Sequence, residues 1–168
     1  MSNELTPREE PTEPADTDRN LLASLPQSVR TYLKPIDREF TDPIYGYDFE
    51  FSHYELDQSY IPPSELRRAR ELIAPLVRGC DKRTALIELT RLKMTTVSKA
   101  ESQEDLNMRL AVYAEELTAY PTDCVVQACR KWTRMEKFFP AWAELKEILD
   151  RLARKRLALW RAVAEKSK

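Results

Sequence analysis

Few side chains in this 168-residue chain have a type and spacing that could do chemistry. Glu9-Glu10 and Glu115-Glu116 are the adjacent acid pairs considered for general acid–base work. Neighbours on a helix point about 100° apart, whereas paired acid–base carboxylates must converge on one substrate, usually from different elements. Both pairs therefore read as solvated faces. The single histidine, His53, has no cysteine or histidine at ligand spacing, so a metal site there would need three acids or thiols from elsewhere. Cys80, Cys124 and Cys129 are odd in number and lack CxxC spacing, which suits reduced thiols in a cytosolic protein. With only two glycines, Gly46 and Gly79, a P-loop, a dinucleotide fold or a many-hairpin β-sandwich is nearly excluded. No catalytic, cofactor-binding or metal-ligating residue is assigned, and the chain is expected not to be an enzyme.

Residues suited to binding are easier to find. Eight of the chain's aromatics fall between 21 and 63, where Tyr47, Phe49 and Phe51 alternate with Asp48 and Glu50 in a short period-2 pattern. Tyr45, Tyr47, Phe49 and Phe51 are the candidate partner-binding residues. Either this arm packs its aromatics on its own helices, or it is a linear motif that adds to another protein's sheet edge. Near the C-terminus, Arg151, Arg154, Lys155, Arg156 and Arg161 form a basic cluster that could contact nucleic-acid phosphates. A solvated helix end is the competing reading.

The elements that must position these residues follow from charge and periodicity. The net charge of −1 hides an acidic first third joined to a basic remainder. Residues 1–20, rich in acids and proline, read as a disordered acidic tail, and 21–63 as an extended aromatic-rich arm. From 64 to 168 the pattern is helical. Ser64 is a candidate N-cap, Pro75 should kink or break the first helix near Ala74, and Asp81 should cap the second. Ser102 opens a third with capping-box spacing, Pro121 starts a fourth, and a helix of near 25 residues follows Pro140. The expected fold is all-α: a bundle of about five helices with a long basic C-terminal helix. Leu145, Leu149, Leu152, Leu159 and Val163 approach a heptad repeat interrupted by Arg156, so this helix either packs on the domain or makes a homo-oligomer. No apolar run approaches the ~20 residues needed to cross a bilayer, and no secretory signal is evident, so the chain is expected to be soluble and cytoplasmic.

The most distinctive stretch joins a tyrosine-bearing helix (Tyr113) through Tyr120-Pro121 to a helix ending in Trp132. A Phe138-Phe139-Pro140 corner then leads into Trp142 and Glu144-Leu145. Read physically, it is a helix–turn–helix–turn–helix unit with Trp132, Phe138, Phe139 and Trp142 in its core. Over residues 82–150 the pattern resembles the small helical loader/inhibitor proteins of phage and prophage replication that act on the replicative helicase. The resemblance implies a non-enzymatic adaptor that binds a hexameric helicase and loads, restrains or delivers it, without a cofactor. Two other readings stand beside it: a nucleic-acid-binding regulator using the basic helices, and a helical assembly protein held by the Leu145–Val163 seam.

Overall fold

Prolines and capping side chains set most element boundaries. The structure, a computed structural model, describes residues 13–42, 46–98 and 100–164, with backbone alone at 40–42 and 46–48. Its first part comprises α1 (Pro14–Ser24), α2 (Gln27–Tyr32), β1 (Leu33–Asp42), β2 (Gly46–Leu56) and a 3-10 turn, Gln58–Tyr60. Five helices follow: α3 (Pro63–Val77), α4 (Lys82–Thr95), α5 (Gln103–Leu117), α6 (Thr122–Met135) and α7 (Trp142–Ala164). Asp81 caps α4 by accepting from the Thr84 amide, and Ser102 caps α5 by accepting from the Asp105 amide, each filling an orphan donor of the first turn. Pro121 stands at the N-cap of α6.

Two helix boundaries depart from the sequence reading. Pro62, not Ser64, occupies the N-cap of α3, with Pro63 pre-organised in the first turn. Pro75 lies inside α3 without ending it. It sits in the last turn, where the missing amide costs one bond to the Glu71 carbonyl, and Glu71 is exposed to water.

The larger correction concerns the N-terminal third. The chain is mostly helical but not all-α, and 14–63 is not an extended arm behind a tail. Pro14–Ser24 is a helix that buries Leu21, and β1 pairs antiparallel with β2, from Leu33 opposite Leu56 to Asp42 opposite Gly46. Residues 1–12 lie outside the described residues. The hairpin carries a bulge: Ile36 faces His53 and Asp37 faces Phe51, so Ser52 has no cross-strand partner. Residues three apart on a regular strand point to opposite faces. The extra residue resets the alternation and brings the Phe51 and Tyr54 rings together at 4.9 Å.

Burial organises around two clusters. In the first, Leu89, Leu92, Leu117, Val125, Cys129 and Trp132 from α4, α5 and α6 meet Leu145, Leu149 and Ala153 of α7. In the second, Leu21, Val29, Leu56 and Ile73 from the N-terminal elements and α3 meet Leu159 and Val163 of α7. The 23-residue α7, about 35 Å long, is the shared spine. Of the five residues of its leucine-like repeat, Leu145, Leu149, Leu159 and Val163 are buried within the chain and Leu152 is half-buried. Among the described residues no helix is long and apolar enough to cross a membrane.

Candidate interaction surface

Where the clusters adjoin, at the position that interrupts the leucine repeat, Arg156 is only 1% exposed. Its Nε donates to Asp18 of α1 at 2.7 Å, and its two terminal nitrogens donate to both carboxylate oxygens of Asp123 of α6, each at 2.8 Å. The Leu76 carbonyl accepts a further bond at 3.0 Å. The planar fork of arginine suits this bidentate arrangement, and the partnered carboxylates make burial of the charge tolerable. The assignment of Arg156 as a phosphate contact is therefore corrected: its donors are spent inside the protein. Burial pushes the Asp18 carboxyl above its ordinary pKa, against the pull of Arg156.

The neighbouring basic residues fall on one face because 151, 154 and 155 are spaced three and four apart. They border a groove of about 560 Å³ closed on its other sides by Asp18, Arg19 and Leu22 of α1 and by Glu50, Phe51 and Tyr54 of β2. Lys155 Nζ stands 5.9 Å from the Phe51 ring centroid. Arg154 pairs with Glu50, which also accepts from Arg38 at 3.1 Å, and Arg151 pairs with Glu147 at 2.9 Å. Burial raises the Tyr54 pKa, with Asp18 adding to the effect, so its hydroxyl stays a neutral donor.

The structure thus brings together Phe51, Arg151, Arg154 and Lys155, residues the sequence assigned to two separate regions. Arg161 borders a different groove with His53 and Glu55. Phe49 is 68% exposed. Tyr45 and the Tyr47 side chain lie outside the described residues. Asp18, Arg19 and Tyr54 were not singled out from sequence. For Asp18 the signal was the Leu21, Leu22, Leu25, Val29 spacing, which marks an apolar stripe in what reads as tail and arm.

Glu115 and Glu116 are both exposed, and His53 lies exposed beside Glu55, 3.7 Å away. No group of three metal-ligating side chains occurs among the described residues. Burial pushes the Cys124 and Cys129 thiols up to about 12, away from the thiolate a nucleophile needs.

The aromatic corner is an interlocked unit. The Tyr113 ring packs on Phe139 and Trp142 at 6.0 and 5.3 Å, and its hydroxyl donates to the Pro140 carbonyl at 3.3 Å. Trp132 Nε1 donates to the Phe138 carbonyl at 2.7 Å, and Glu144 accepts from the Ala141 amide at 2.8 Å. Trp132 is buried while Phe139 and Trp142 are half-buried. Phe138, expected in the core, is 53% exposed: Trp132 holds its carbonyl and Val97 bonds the backbone of Lys137 and Phe139 on either side, while its ring turns outward. The chain matches no protein-family model, no curated protein and no solved structure.

Proposed function

We propose that the protein is a non-enzymatic DNA-replication accessory of phage type that docks on the hexameric replicative helicase and loads or modulates it. The observation that carries a docking role is the convergence of Phe51 and Tyr54 with Arg151, Arg154 and Lys155 in one groove. A groove combining aromatic surface with cations is the composition from which protein interfaces draw their strongest contacts. The helicase as partner comes from the resemblance carried by Tyr113, Tyr120-Pro121, Trp132, Phe139-Pro140 and Glu144-Leu145. The electrostatics favour a protein over nucleic acid as the groove's ligand. Arg156 is buried, and Arg151 and Arg154 are already paired with glutamates, so few cations remain to release counterions from a phosphate backbone.

Size-exclusion chromatography with light scattering, on the full chain mixed with the replicative helicase and ATP but no DNA, tests the reading. Co-elution at a defined ratio is the expected result; separate elution would overturn it. Point variants in the groove are the right comparison, because removing residues 1–63 would strip the second core of Leu21, Val29 and Leu56 and leave Arg156 without Asp18.

A further inference from the structure

Away from that groove, the outward face of α6 carries cations that the fold leaves uncompensated. At about 100° per residue, Gln127, Arg130 and Arg134 fall in one row at spacings of three and four, with Lys131 beside them. The opposite face, with Cys124, Val125, Ala128, Cys129 and Trp132, is the buried one. Arg134 is exposed, and Arg130 and Lys131 are half-buried, as long cationic side chains are when the stem packs and the head reaches water. The three side chains make no ion pair among the described residues.

The acids around them are already engaged. Helix α6 packs between α4 and α7, with α1 beside its first turn. Its own Asp123 is held by Arg156, and Glu88 of α4 accepts from Arg91 at 2.6 Å. On α7, Glu144 accepts from the Ala141 amide, Glu147 from Arg151, and Asp150 from Lys146 at 2.6 Å. On α1, Asp16 pairs with Arg19 at 3.3 Å and Asp18 with Arg156. Past the end of α6, Glu136 is offset by the adjacent Lys137. Helix α5, which bears Glu104, Asp105, Glu115 and Glu116, packs chiefly on α4, and Glu101 before it accepts from Arg109. The contrast with α7 is direct, since Arg151, Arg154 and Arg156 all have carboxylate partners there.

The composition of the face selects its ligand. Met135 is the exposed apolar side chain of α6, and it is turned about 100° from Arg134. Protein-binding surfaces draw their affinity from buried aromatic and aliphatic anchors, whereas a phosphate backbone is bound by cations through the release of its counterions. We propose that this face of α6 contacts a nucleic-acid backbone, with phosphate oxygens accepting from Arg130, Lys131 and Arg134 and with Gln127 as a neutral donor beside them. Such contact is independent of base sequence. It is separate from the groove, whatever occupies that.

Fluorescence anisotropy of the full chain with a labelled oligothymidylate of about 20 nucleotides, and with a duplex of the same length, tests this between ~50 and ~200 mM salt. Three phosphate contacts predict that log affinity falls with log salt at a slope of about −2 on the single strand and about −3 on the duplex. Arg130→Gln with Arg134→Gln should bind about tenfold or more weakly and flatten the slope by about one to two. Arg134→Gln alone, at an exposed position, should weaken binding several-fold with the wild-type thermal midpoint. Arg67→Gln with Arg68→Gln on α3 removes the same charge elsewhere and should leave the affinity within about twofold. Absence of binding to both probes, or an α6 double variant equal to wild type, would overturn the proposal. So would an equal loss in the α3 pair, which would make net charge the cause. Displacement of the oligonucleotide by poly-glutamate at equal charge would also overturn it, making an acidic protein the ligand.

Discussion

Arg156→Met removes the charge at the junction of the two cores while keeping much of the apolar stem. The substitution deletes the bonds to Asp18, Asp123 and the Leu76 carbonyl and leaves two carboxylates facing each other without a cation. Removing one partner of a buried ion pair costs about 3–5 kcal/mol. The Asp18 and Asp123 side chains retain 15% and 19% exposure, so water reaches them and the lower end, about 3 kcal/mol, applies. For a chain of this size that is a fall of roughly 6–12 °C in Tm. Urea unfolding gives the free energy, and hydrogen exchange should show α1 losing protection first, since Asp18 ties it to α7. The deficit also has a pH signature. With Arg156 gone, the folded-state pKa of Asp18 rises further above its unfolded value, so the folded state takes up protons more readily. Stability relative to wild type therefore recovers as pH falls through that raised pKa and is lowest near neutrality. Asp18→Asn and Asp123→Asn together with Arg156→Met should restore most of the loss at neutral pH, because an uncharged set leaves nothing uncompensated. An Arg156→Met protein within about 0.5 kcal/mol of wild type, within the range of ordinary surface substitutions, would refute the claim that this ion cluster joins the two cores.

Three further outcomes follow from burial. Trp132→Ala should cost about 3–5 kcal/mol in urea unfolding, whereas Phe138→Ala, whose ring points outward, should stay within about 0.5 kcal/mol of wild type. Gly79→Ala should be strongly destabilising in the same assay, since its Cβ would run into the Thr118 carbonyl; a normal midpoint would show that the close approach of these backbones is dispensable. The buried Cys124 and Cys129 thiols hold their protons up to about 12, while unfolded thiols ionise from 9.0. The unfolded state therefore binds fewer protons over that interval, and stability falls as pH rises through it. Each thiol contributes about 1.4 kcal/mol per pH unit, measurable as a shallower urea-midpoint slope in Cys124→Ala or Cys129→Ala.

The helical body was readable because its signals are local. Asp81 and Ser102 cap the helices they precede, Pro121 sits where a helix can accept proline, and the periodicity of α5 and α6 matches what they bury. The N-terminal third was not, because its structure depends on distant partners. Leu33–Asp42 carries Pro35 and five charged residues, a weak strand signal that becomes a strand only opposite Gly46–Leu56. A bulge at Ser52 breaks the alternation that would reveal which aromatics share a face. Arg156 illustrates the same limit from the other side. A charged residue in a leucine repeat looks like a fault in a coiled-coil seam until Asp18 and Asp123, 138 and 33 residues away, supply its counter-charge. The candidate site was half legible: Phe51 and the basic helix were identified separately, and only the hairpin places them together.

The central claim is that the groove between α1, β2 and α7 is the helicase-docking face. The most direct measurement is calorimetric titration of the full chain into the hexameric replicative helicase, comparing wild type with Phe51→Ala and Lys155→Glu. The account predicts saturable binding at a fixed ratio for wild type and a loss of about tenfold or more in each variant, with thermal midpoints unchanged. No binding by wild type, or equal affinity in all three proteins, would contradict it.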